Sequence, residues 1–121
     1  LTRWLSPILI FADTTRMICE YHVRPEMADP PGWLHGGIRA AMISDAAAIF
    51  ANVLEQKRTT VTTSMSIDFT DRVRVGEVVR TTATILKRGK SLIYMYGDME
   101  TKQGRLVASA KCTLFVLDRR L

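Results

Sequence analysis

Cysteine is scarce in this chain: two, Cys19 and Cys112, among 121 residues. Each sits in an apolar, strand-like run facing inward, which does not suggest a disulfide framework, and both read as buried free thiols in a reducing compartment rather than as a bridge. No uninterrupted apolar run reaches the ~18 residues a membrane span needs. The apolar segment from Leu5 to Ala12 is short, contains Pro7 and lacks a small-residue cleavage signature, so it does not read as a signal peptide. These absences set the expectation of a cytoplasmic protein with no membrane partner; the chain does not begin with Met, which leaves upstream residues open. Cations outnumber anions, for a net charge of +5 and a pI near 9.6, yet they are scattered. Only Lys87-Arg88-Gly89-Lys90 and Arg119-Arg120 form groups. Without a basic stripe, zinc-ligand spacing or aromatic RNA-binding motif, nucleic acid is disfavoured and neither metal nor cofactor is expected. A polyanionic small molecule suits the charge equally well. There is no internal repeat, low-complexity tract or linker, so residues 1–121 read as a single domain.

What is present is ordinary in bulk and specific in pattern. An apolar share of 47% and a charged share of 24% are those of a soluble globule. So short a chain has a small core, and association with a second copy would help it. Residues 1–14 form an N-terminal arm or a short helix, which Pro7 leaves open. Arg16 to Val23 alternates, with Met17, Cys19, Tyr21 and Val23 on one face, as a strand would; His22 points outward. Arg24 to Gly32 holds three prolines and an Asp and reads as a loop. From Gly36 to about Leu54 nothing breaks a helix, and alanines dominate. The period then changes to two: Val61 to Phe69, Val78 to Leu86, Leu92 to Glu100 and Leu106 to Leu117 are strands, with Gly76, Gly89 and Gly104 at turns between them. Four consecutive strands can pair as an antiparallel meander with the helix packed across it, an α+β domain. Met42, Met65, Met95 and Met99 read as core or pocket lining.

The most informative stretch is His35-Gly36-Gly37 and the helix behind it. Two glycines open the helix, so unhindered N–H groups sit at its positive end, where a carbonyl oxygen or anion is attracted. One narrow face carries Gly37, Ala40, Ala41, Ser44, Ala47, Ala48 and Ala51, which allows close approach to a sheet or a partner helix. Beside it runs a bulkier stripe of Ile38, Met42, Asp45, Ile49 and Val53. Asp45, about three turns into the helix, is paired, at a rim, or functional. Polarising amides together with a carboxylate point to chemistry on an acyl group. His35 either orders the turn or serves as an acid–base group.

With these residues in place, the chain resembles hotdog-fold thioesterases of the phenylacetate-degradation type, over about Met17 to Val116. The resemblance rests on His35-Gly36-Gly37, on Gly32 three residues earlier, and on Val61-Thr62 opening the next strand. It also rests on Val75-Gly76-Glu77 followed by Leu86-Lys87-Arg88-Gly89-Lys90-Ser91. It implies a curved antiparallel sheet wrapped around one long central helix, and protomers paired as a dimer or dimer of dimers. It further implies cleavage of an acyl-CoA thioester, with the Gly36 or Gly37 amide stabilising the oxyanion and a carboxylate from the helix of the opposite protomer activating water or attacking directly.

Family members usually place that carboxylate nine residues after the His, where this chain has Ser44; Asp45 follows. One residue turns a side chain by about 100°, so three outcomes follow. An adjusted helix presents Asp45, Ser44 holds a water, or the site is silent and the protein binds acyl ligands without turnover. A hydratase of the same fold is disfavoured, because its motifs are absent. Asp29, six before the His, either supplies a carboxylate near the carbonyl site or caps its loop. Thr62 either orients substrate or is a plain strand residue. Lys87, Arg88, Gly89 and Lys90 form either a solvated hairpin or a contact for the CoA phosphates.

Overall fold

A computed structural model describes residues 1–56 and 58–120, the last three of these as backbone only, so the Arg119-Arg120 pair lies outside the described side chains. Its centre is one helix, α2, over Gly36–Leu54, which follows a short N-terminal helix, α1, over Thr2–Leu5. Alanine makes the long helix inexpensive to form, and His35 starts it, its extended backbone (φ −59, ψ 135) turning Nδ1 to accept the Gly37 N–H at 2.9 Å. Around it runs an antiparallel, curved sheet of six strands. These are β1 (Ile8–Ala12), β2 (Arg16–His22), β3 (Arg58–Phe69), β4 (Val78–Arg88), β5 (Leu92–Thr101) and β6 (Leu106–Arg120).

Along the sheet the order is β1-β2-β4-β5-β6-β3, which corrects the expected meander of the last four strands. Only β4, β5 and β6 form a meander; β3 skips its sequence neighbour and pairs with β6, from Phe69 opposite Ala108 to Thr60 opposite Val116. Alternation dictates which face a side chain takes and carries no information on which strand lies beside it. The N-terminal segment is both of its alternatives in turn, a helical turn and then strand β1 on the edge beside β2. The proline-rich loop includes one 3-10 turn, Pro25–Met27.

On β5 the inward residues Ile93, Met95, Gly97 and Met99 alternate with the outward Tyr94, Tyr96 and Glu100. Gly97 lies directly under the helix. A Cβ there would come 2.5 Å from the Ile43 side chain, so only glycine lets α2 rest this close to the sheet. Tyr21, Met42, Ile43, Phe50, Met95 and Leu114 fill the space between helix and sheet. Cys19 and Cys112 are buried and free; burial, with the Asp45 charge adding to it, pushes the Cys19 thiol up to about 11.

The sequence expectation on hydrophobic runs needs one amendment. With a mean hydropathy of 1.4, the 19 residues of α2 are long and apolar enough, by length and composition alone, to cross a bilayer. Met42, Ile43 and Ala46 on this helix are instead fully covered by the sheet.

Candidate active site

The site is built on the N-terminal end of α2, where the first amides of the helix have no intrahelical partner. The two glycine amides there are not equivalent. Gly37 N–H is already held by His35 Nδ1, so the imidazole caps the helix. Ile38 and Arg39 N–H both donate to the His35 carbonyl at 3.0 Å. Gly36 N–H donates to no group among the described residues and is the one open donor of this turn.

Phe69, the last residue of β3, packs beside Gly36, with its ring 3.3 Å from where a Gly36 Cβ would sit. Arg39 also stands over the ring, its guanidinium carbon 4.6 Å from the ring centre. A cation near the start of a helix opposes the dipole, so Arg39 needs other support. It has this from the carbonyls of Asp71 and Val107, at 2.7 and 3.0 Å. Burial lowers the Arg39 pKa, against the pull of Asp29 and Asp71, and its Nε has no partner among the described residues. Neither Arg39 nor Phe69 was among the residues singled out from the sequence. The misplaced charge of Arg39 was a readable signal; Phe69 had none, because it arrives from another element.

The remaining sequence candidates divide into those that stay open and those already engaged. Ser44 is half-exposed on the face of α2 that also carries Gly37, Ala40, Ala41 and Ala48. Ala47 and Ala51, expected on that same narrow face, are buried against the core. Asp45 turns inward at 7% exposure: one carboxylate oxygen accepts the Thr2 hydroxyl, and the other accepts the Tyr21 hydroxyl at 3.1 Å. Burial and then the Asp45 charge raise the Tyr21 pKa, so the phenol stays a donor. Asp45 is paired in this structure and ties α1 and β2 to the central helix.

Asp29 caps its loop, accepting the Trp33 N–H at 2.9 Å on its side chain, while its own N–H donates to the Trp33 carbonyl at 2.8 Å. Thr62 is exposed on β3, opposite Leu114, next to an irregularity in the register. Arg88 is not at a free hairpin tip. It ends β4, and its guanidinium reaches the C-terminal end of α2, at 2.5 Å from Glu55 and 2.7 Å from the Leu54 carbonyl. That engagement occupies the Arg88 guanidinium in this structure. Gly89 closes the turn by donating to the Leu92 carbonyl at 2.8 Å, and Lys87 and Lys90 are exposed.

An open amide at a glycine-started helix, under a curved antiparallel sheet, can be compared directly with known proteins. The family model described as the thioesterase superfamily matches residues 31–108, which include the whole of α2 and its approach. Acyl-coenzyme A thioesterase 13 of Mus musculus is 30% identical over 106 residues, 87% of this chain and 76% of the relative. Among solved structures, AziG of S. sahachiroi is 29% identical with a TM-score of 0.89, covering 99% of this chain and 96% of that one. The PaaI protein of the E. coli phenylacetic acid degradation operon shares the fold at a TM-score of 0.91 and 19% identity, covering 98% and 85%. The hotdog architecture, the glycine pair at the mouth of the helix and these matches agree: the chain belongs to the thioesterase superfamily.

Proposed function

We propose that this protein hydrolyses an acyl-CoA thioester to the free acid and CoA. The observation that carries the reading is the open Gly36 N–H at the positive end of α2 in a member of the thioesterase superfamily. The acyl-CoA class follows the name of the mouse relative. In this reading the thioester carbonyl accepts from Gly36 N–H, and the dipole of α2 adds to its polarisation. Water adds to the carbonyl carbon and loses a proton to Asp45 on the helix of the opposite protomer, because Asp45 on the same helix lies about 13.5 Å from Gly36 along the axis. The tetrahedral oxyanion rests on Gly36 N–H. It then collapses, the C–S bond breaks, and the thiolate of CoA takes up the proton. Asp45 reaches this role if the attacking water donates to it in the place that the Thr2 hydroxyl fills, with the Tyr21 hydroxyl orienting the other oxygen.

A thiol-release assay over a panel of acyl-CoAs tests this. We expect Asp45→Asn to lose about 10²- to 10⁴-fold in kcat while Thr2→Ala keeps full activity. An Asp45→Asn variant that is folded and fully active removes Asp45 from the mechanism. A second reading, binding of acyl-CoA without turnover, is favoured by one feature, that half-exposed Ser44 stands where the resemblance expects a carboxylate. Tight binding with no hydrolysis, and activity gained on Ser44→Asp, would select it.

The proposal includes a homodimer, or a dimer of dimers. Strand β3 runs twelve residues with one edge unpaired, and Val61 and Phe69 on it are 46% and 48% exposed. So long a bare edge is a template for a second copy of the same strand. Beside it, Ile49, Asn52, Val53 and Gln56 line an apolar hollow of about 440 Å³ on the helix. Sedimentation as a monomer at micromolar concentration would contradict the dimer.

A further inference from the structure

The segment between β3 and β4 carries an arginine cluster that the mechanism above does not use. Residues 72–74 lie against the chain leading into Gly36: Trp33 and Arg74 form an antiparallel bridge, and Leu34 N–H donates to the Val73 carbonyl at 2.6 Å. The guanidinium carbons of Arg72 and Arg74 stand over the Trp33 ring, 4.8 and 5.1 Å from its centre. Two residues apart on an extended segment, they share a side. A polar hollow of about 250 Å³ is lined by Trp33, Asp71, Arg72, Arg74, Glu77 and Arg105. A second, of about 330 Å³, shares Trp33 and Arg74 with it.

The charges in this hollow are not evenly matched. Both carboxylates pair with Arg105, and the Asp71 charge also acts on Arg72. Asp71 takes Arg105 at 3.0 Å and the Arg72 backbone N–H at 2.8 Å, and Glu77 takes Arg105 at 3.2 Å and the Arg74 backbone N–H at 2.7 Å. The backbone N–H of Arg72, then Arg105, holds the Asp71 carboxyl below the usual carboxylate range, so it stays an anion in that arrangement. The guanidiniums of Arg72 and Arg74 have no hydrogen-bond partner among the described residues. A guanidinium over an indole is positioned by the ring and keeps its N–H donors free for a bidentate anion. Adjacent phosphoryl groups can occupy both forks at once, which one carboxylate cannot. Trp33 is three residues from Gly36, at most about 11 Å along the backbone, so one segment serves both sites.

We propose that Trp33, Arg72 and Arg74 bind the phosphates at the nucleotide end of the acyl-CoA, an inference resting on the acyl-CoA reading above. It moves the phosphate contact from the Lys87–Lys90 hairpin, where Arg88 is held by Glu55, to the approach of the catalytic helix.

The test compares acyl-CoA with the same acyl group on N-acetylcysteamine, a thioester without nucleotide. In the full-length R72Q/R74Q variant we expect KM for acyl-CoA to rise about tenfold or more, with kcat within about twofold. The rise should shrink with added salt, and turnover of the N-acetylcysteamine thioester should be unchanged. An unchanged KM for acyl-CoA, or equal losses on both thioesters, overturns the proposal. So does a K87Q/K90Q variant that alone carries the whole effect. If the wild-type protein hydrolyses neither thioester, the enzymatic reading fails by itself, and calorimetry with CoA decides the subsite. CoA binding weakened about tenfold in R72Q/R74Q sustains it; unweakened binding, or none in the wild type, ends it.

Discussion

The two ends of the central helix are finished in opposite ways. At its C-terminal end Arg88 donates to the Leu54 carbonyl and to Glu55, and Glu55 has a second cation, Arg58, at 3.7 Å. Among the described residues the Ala51, Val53 and Leu54 carbonyls and the Glu55 carboxylate there all have partners within the chain. At its N-terminal end His35 takes the Gly37 amide, yet the Gly36 amide beside it has no partner among the described residues. Folding favours satisfying every such group, so an end that satisfies all but one invites a ligand at that one. The basic residues follow the same division. Arg88 is used up in closing a helix, whereas Arg72 and Arg74 keep their donors at the open end.

The largest effect should come from taking away the single open donor. Gly36 is the first residue of α2, the one helical position where proline costs least, and His35 before it already has the extended backbone a following proline requires. Gly36→Pro removes the N–H, while Gly36→Ala adds a Cβ against Phe69 and keeps the N–H. We expect the proline variant to lose about 10²- to 10³-fold in kcat relative to the alanine variant, near 3 kcal/mol of barrier, with both still folded. Equal activity in the two would show that this end of the helix is open without consequence.

Most of this architecture is written in local pattern, and most of what escapes the pattern depends on distant partners. The α2 limits, the strands β2 and β4 to β6 and the glycine turns follow from periodicity and capping residues. Strand β1 hides because all five of its residues are exposed, so no alternation marks it. The place of β3 beside β6 is set by packing around the helix. At the site, His35-Gly36-Gly37 was legible as a donor turn, but which amide remains free is decided by where the imidazole turns. That Asp45 is engaged by Thr2 and Tyr21 depends on contacts 43 and 24 residues away. No spacing within the helix reports them.

The closed end sharpens the comparison next. Arg88→Met strips the Leu54 carbonyl of its donor and leaves Glu55, only 8% exposed, with the longer Arg58 contact. Leaving a buried carboxylate short of partners costs about 2 kcal/mol here, which for a chain this size lowers Tm by roughly 8 °C. We expect that fall with KM for acyl-CoA unchanged. A variant with normal Tm and a raised KM would return Arg88 to the phosphates and erase the distinction between the two ends.

The smallest effect separates the two roles open to His35. As a cap, its imidazole does for Gly37 N–H what an Asn side chain can do equally well, and Ala cannot do at all. His35→Ala should then lose about 1 kcal/mol, roughly 4 °C in Tm, and His35→Asn should recover it. Activity discriminates further, because Asn neither takes up nor releases a proton in the working range of pH. If His35 only holds the turn, His35→Asn keeps both kcat and the shape of the pH–rate profile, since Gly36 N–H still points where it did. If His35 moves a proton during hydrolysis, the same substitution restores Tm but not kcat, and one limb of the profile disappears. Thermal melting and a pH series on that one variant therefore decide whether the open end of the helix is shaped by its histidine or served by it.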